Sequence, residues 1–124
     1  MTKAPQIFDI ASMPSEPMGN GRGTKIKLID TRHGTEKVDV HLNTLIPGGP
    51  RGPMHRHSKA DNVYIVRRGK GEMIVEGKTY VLEKDQVVFI PAGLVHSLSN
   101  VSDETFEIFE IYAPAGKDFD FIAS

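Results

Sequence analysis

A chain of 124 residues, 39% apolar and 25% charged, has room for one domain with its own core, and its 12 Gly and 8 Pro require many turns. Fifteen Lys plus Arg against sixteen Asp plus Glu leave a formal charge of -1, which removes the basic excess through which proteins hold nucleic acid. With no cysteine, disulfides, thiolate nucleophiles and thiolate metal ligands are excluded, leaving His, carboxylates and amides as candidate ligands.

The N-terminal stretch "MTKAPQIFDIASMPSEP" lacks a signal-peptide apolar core, and no stretch approaches the ~20 apolar residues needed to span a bilayer. A cytoplasmic protein with no membrane contact is the expectation. Residues 1–23, with Pro5, Pro14, Pro17 and then "GNGRG", read as an N-terminal arm. From Thr24 the chain turns to short runs rich in β-branched and aromatic residues: "TKIKLID", "VDVHLNTLI", "NVYIVRR", "GEMIV", "KTYVL", "QVVFI", "LVHSLSNV" and "TFEIFEIYA". Eight such runs separated by turn residues predict an all-β sandwich or small barrel over residues 24–113. "VEGKTYV" predicts a tight hairpin with positive φ within Glu76–Gly77.

Val63 to Val66 and Val87 to Ile90 are apolar on both strand faces, so the outside of the barrel should be covered by a second layer or another subunit. A homodimer is therefore expected, with the arm and the tail, residues 114–124, as candidate covers. In the tail Phe119 and Phe121 alternate with Asp118 and Asp120 as on an edge strand, although a frayed terminus explains the pattern equally well.

His55 and His57 stand one residue apart, so on a strand they project the same way and two imidazoles can chelate one ion. Alone, such a pair is more often hydrogen-bonded or exposed than metal-bound. A second segment, "DQVVFIPAGLVHSLSN", strengthens the metal reading, because Pro91 and Gly93 turn the chain and bring His96 back toward the barrel interior. Metal-bound imidazoles must be neutral with the other ring nitrogen hydrogen-bonded, which implies a polar pocket at the barrel mouth.

Residues 49–69 resemble the first motif of the cupin family, with Gly49, His55, His57 and Gly69 in place, and residues 85–100 resemble the second, with Pro91, Gly93, His96 and Asn100. The resemblance implies a double-stranded β-helix, or jelly-roll, barrel that is commonly dimeric and holds Fe, Mn, Ni, Zn or Cu near one end. By position it makes His55, His57 and His96 metal ligands. Two departures stand out: Asp85 occupies the place of the Gly that usually opens the second motif, and the usual glutamate ligand is missing. Counting back from Gly69 puts Asn62 at the ligand position, with Tyr64 on its face and Asp61 off it, unless a bulge slips the strand by one. Asp61 then caps the turn of the "HSKAD" loop.

Three neutral imidazoles and a neutral amide leave a divalent ion its full charge, so such a site should bind metal less tightly, act as a stronger Lewis acid and favour an anionic ligand. Tyr64 is the candidate acid–base residue, a packed barrel aromatic being the alternative. His41 is expected to face solvent, and Arg51 and Arg56 lie near the same end without an assigned role. The function expected is a metal-dependent enzyme acting on a small, oxygen-rich, chelating substrate: a dioxygenase if the ion is Fe, an isomerase, lyase or cyclase if it is Zn, Mn or Ni. A binding module that holds a small ligand or metal without turnover is the alternative.

Overall fold

The computed structural model describes residues 4–115 and the backbone of 120–121. Eleven strands follow in chain order: β1 Glu16–Pro17, β2 Gly23–Ile29, β3 Asp39–Leu45, β4 His55–Arg56, β5 Asp61–Arg68, β6 Lys70–Val75, β7 Lys78–Glu83, β8 Val87–Ile90, β9 His96–Ser99, β10 Phe106–Ala113 and β11 Asp120–Phe121. They pair antiparallel into a six-stranded sheet, β1-β2-β3-β10-β5-β8, and a five-stranded sheet, β11-β4-β9-β6-β7. All eight expected runs are strands. The three further strands are two-residue pairings, of which β1 ties the arm to the sheet edge and β11 ties the tail to β4. Phe119 and Asp118 lie outside the described residues.

Turn chemistry sets the register. Glu76 and Gly77 both take positive φ, 47° and 79°, the pattern of a two-residue hairpin that matches strand twist and pairs Val75 with Lys78. Asp85 also has positive φ, 70°, so the position where the family resemblance expects glycine does need a left-handed residue, and Asp tolerates that conformation better than most. At Gly69, where φ is 78°, a Cβ would run into the carbonyl of Thr105, so the turn from β5 to β6 requires a residue without a side chain.

The interior is graded along the barrel axis, and the pairing of β5 with β10 shows why. Val66 pairs with Ile108, Tyr64 with Glu110 and Asn62 with Tyr112, so the inward face passes from apolar to polar over one strand length. Leu45, Val66, Met73, Leu82, Leu98, Phe106 and Ile108 fill one end together with Tyr64 and Ile90. His41, Asn43, His55, His57, Asn62, His96 and Glu110 are buried as well. Buried polar groups need partners, and those they find define the site.

Candidate metal centre

His55 and His96 face each other across the β4–β9 pairing, and His57 lies just beyond the end of β4. Their ring centroids are 4.3 Å apart for His55–His96, 5.2 Å for His55–His57 and 5.7 Å for His57–His96. Each ring offers a nitrogen within 4.8 Å of those of the other two, a spacing that one ion can bridge. Backbone carbonyls orient two of the rings: Nδ1 of His55 donates to the Pro53 carbonyl and Nδ1 of His96 to the Leu94 carbonyl, both at 2.9 Å. In that tautomer Nε2 is the nitrogen that carries the lone pair, as a metal ligand requires. Nε2 of His96 is buried without a hydrogen-bond partner among the described residues.

Burial also disfavours protonation of His55 and His96. It pushes His55 down from 6.5 to about 4, with the neighbouring His96 and His57 acting in the same direction and the Pro53 carbonyl against it. His96 is lowered by burial too, although its bond to the Leu94 carbonyl opposes the shift. A divalent ion therefore fits this donor set: three buried imidazoles meet, two of them with tautomers fixed by backbone carbonyls.

Behind the histidines lies a carboxylate that sequence reasoning did not single out. Glu110, on the inward face of β10, accepts from Asn43 Nδ2 at 2.7 Å and from Asn62 Nδ2 at 3.3 Å. The hydroxyl of Tyr112 donates to it as well, and Tyr64 stands beside it, its partner across the β5–β10 pairing. Burial alone would raise the Glu110 carboxyl. Hydrogen bonds from Tyr112, Asn62 and Asn43, with the charge of Lys25, outweigh that effect and hold it below its ordinary value. Both phenols move the other way: burial, then the adjacent Glu110, pushes Tyr64 and Tyr112 well above the usual phenol range.

Asn62 is fully buried, with its amide nitrogen committed to Glu110 and its Oδ1 without a hydrogen-bond partner among the described residues. Tyr64 is buried beside it, 6.3 Å in ring centroid from His96. Asp61 is exposed and its Oδ1 accepts the Ala92 N–H at 3.1 Å, so it caps the turn that delivers His96. His41 does not face solvent as expected. The strand period places it inward with Asn43 and Leu45, buried and edge-on to Tyr112 at 5.6 Å. Arg51 bonds Glu72 at 3.0 Å, and Arg56 is exposed on β4.

A cavity of about 510 Å³ reaches this centre at His55 and is lined also by Tyr64, Glu110, Tyr112, Arg22 and Lys25. Residues from Glu16 to Asn20 line it too, so the arm helps to build the pocket. Arg22 Nη2 donates to the Leu98 carbonyl at 3.0 Å, while its Nε is buried without a partner among the described residues. The sequence carried no signal for Arg22, whose placement depends on a contact 76 residues away. Glu110 did have one: the two-residue period of a strand groups it with Phe106, Ile108 and Tyr112, and the structure turns that face inward.

These features define a small double-stranded β-barrel with a three-histidine group at the polar end of its interior. The family profile described as "Cupin domain" (Cupin_2) matches residues 41–112, and the chain belongs to the cupin family. An uncharacterized protein of Aquifex aeolicus is 38% identical over 116 residues, covering 91% of this chain and 89% of its own length. Mannose-1-phosphate guanylyltransferase of Klebsiella pneumoniae is 34% identical over 77 residues, 62% of this chain but 16% of the relative. Glucose-6-phosphate isomerase of Pyrococcus abyssi is 38% identical over 77 residues, 56% of this chain and 41% of the relative. The chain thus spans less than half the length of either named enzyme. Among solved structures, the polyketide cyclase RemF from Streptomyces resistomycificus superposes with a TM-score of 0.83 at 19% identity, covering 98% of this chain and 87% of that one. At that identity the likeness concerns the fold. Among the described residues no helix is long and apolar enough to cross a membrane.

Proposed function

We propose that this cupin is a metal-dependent enzyme that binds a divalent ion through His55, His57 and His96, with Asn62 as fourth protein ligand, and acts on a small, oxygen-rich substrate that is anionic when bound. The observation that carries the reading is the set of three buried imidazoles, within 4.8 Å through their ring nitrogens, beside a cavity of about 510 Å³. Sites that hold small ligands have this form, a concave pocket with a few convergent polar groups. A divalent ion held there would supply Lewis acidity at a substrate oxygen, or redox chemistry if it is iron.

The chain's own residues supply the rest. Arg22 and Lys25 on the cavity wall attract and orient an anionic substrate, and the buried Arg22 Nε offers it a donor. Tyr64 moves the proton, and because burial and Glu110 keep its hydroxyl protonated, it does so as a donor. An isomerase, lyase or cyclase uses Zn, Mn or Ni in this role, and a dioxygenase uses Fe. The relatives named as a glucose-6-phosphate isomerase and a mannose-1-phosphate guanylyltransferase make sugar phosphates suitable first anionic candidates. The test is turnover of sugar phosphates, diketones, catechols and hydroxy acids by protein loaded with zinc or, anaerobically, with ferrous iron. Oxygen uptake with iron selects the dioxygenase version; turnover with zinc and silence with iron remove it. Metal and ligand binding with no turnover by any loaded form leaves the non-catalytic binding module.

The protein also forms a homodimer in this reading. Ile65, Val87 and Phe89 stand exposed on one outer face of the six-stranded sheet, and a second copy would cover them.

A further inference from the structure

We propose that Glu110 supplies, from one side chain further back, the negative charge that ligand position 62 lacks, and that it does so by holding the Asn62 amide with its oxygen toward the metal. The inference rests on the metal reading above. An asparagine is ambiguous by itself, since its amide can turn either the oxygen or the nitrogen toward a cation, and only the oxygen is a ligand. Here the nitrogen donates to Glu110 Oε2 at 3.3 Å, so Oδ1 is the end left over, buried and lacking a hydrogen-bond partner among the described residues. The carboxylate cannot easily leave this task, because Asn43, Asn62 and Tyr112 all donate to it, which occupies most of the roughly four lone-pair positions of an ionised carboxylate. Glu110 is therefore a positioning residue and a fixed counter-charge. With it, an ion of charge +2, its three neutral imidazoles, the amide and the carboxylate behind it together carry +1, and Arg22 and Lys25 on the cavity wall add to the attraction for a substrate anion.

Zinc affinity by competition with a chromogenic chelator, measured on wild type, E110Q, N62E/E110Q and H57A, tests the idea. E110Q keeps the shape and removes the charge, and zinc binding is expected to weaken about 10- to 100-fold, the usual effect of losing a group that orients a ligand. N62E/E110Q moves the carboxylate from the orienting position to the ligand position and is expected to bind zinc at least as tightly as wild type. A purely structural role for Glu110 predicts no such rescue, since the double variant carries the same change at 110. Wild-type zinc affinity in E110Q, or a double variant weaker than wild type, overturns the proposal. Wild type itself offers a reading that needs no variant to fold: the Asn62 side-chain amide protons should remain slow to exchange on zinc addition, and exchange at solvent rates would overturn the assigned orientation. If H57A loses zinc while E110Q does not, only the role of Glu110 fails; if H57A binds zinc as wild type does, the three-histidine reading itself fails.

Discussion

Acidifying the metal-free protein should lower its stability through His55, because the folded chain resists protonation at that ring while the unfolded chain does not. His55 is lowered from 6.5 to about 4 by burial, so between those values the unfolded state binds the extra proton and the folded state does not. The sign follows: stability is fully present above about 6.5, falls as the pH drops, and the His55 contribution is gone once the pH is below about 4. At about 1.4 kcal/mol per pH unit, that interval corresponds to about 3 kcal/mol, a large share of the ~5–15 kcal/mol that holds a typical domain together. The assay is urea unfolding of EDTA-treated protein across this pH range, for wild type and for His55→Asn, which keeps a polar side chain but does not titrate. Between those pH values the variant should lose less stability than wild type by about that amount. Equal slopes in the two proteins, or a wild type that gains stability as the pH falls from 6.5 to 4, would refute the reasoning. The same displacement governs metal binding. Proton competition at His55 should set in only as the pH nears 4, later than for an unperturbed imidazole.

Tyr64→Phe should keep zinc and substrate affinity while lowering kcat by about 10²- to 10⁴-fold, read from steady-state kinetics on the first substrate found; an unchanged kcat removes Tyr64 from proton transfer. Replacing Arg22 with Met should raise the KM for an anionic substrate with little change for a neutral analogue. Gly69→Ala should cost more than about 1 kcal/mol in urea unfolding, because the new methyl group meets the Thr105 carbonyl at positive φ; a neutral effect would mean that the β5–β6 turn has slack. Phe89→Asp should convert a dimer into a monomer in sedimentation equilibrium, whereas a wild-type monomer, or a variant that still dimerises, removes the outer sheet face as the interface.

Strand-forming composition and turn chemistry made the barrel legible. "NVYIVRR" and "TFEIFEIYA" are short runs rich in β-branched and aromatic residues, and turn residues such as Glu76–Gly77, Asp85 and Gly93 punctuate the chain where the backbone has positive φ. The pairing of His55 with His96 was legible as well, because two separate segments each carried a histidine beside a turn. His41 departs from the expectation of a solvent-facing ring because it shares its strand face with Asn43 and Leu45, both buried. Glu110 went unnoticed since a glutamate in a strand is ordinarily read as an outward residue. Its burial depends on donors from three strands, β3, β5 and β10, that only the folded sheet brings together. Arg22 and the arm residues that line the cavity were beyond local reading, because a Gly-rich segment gives no period from which to infer a face.

Metal content of freshly purified protein, wild type against His57→Ala, tests the metal centre most directly. The account predicts about one divalent ion per wild-type chain by inductively coupled plasma mass spectrometry and a small residue of that in the variant. The same trace of metal in both proteins would contradict it.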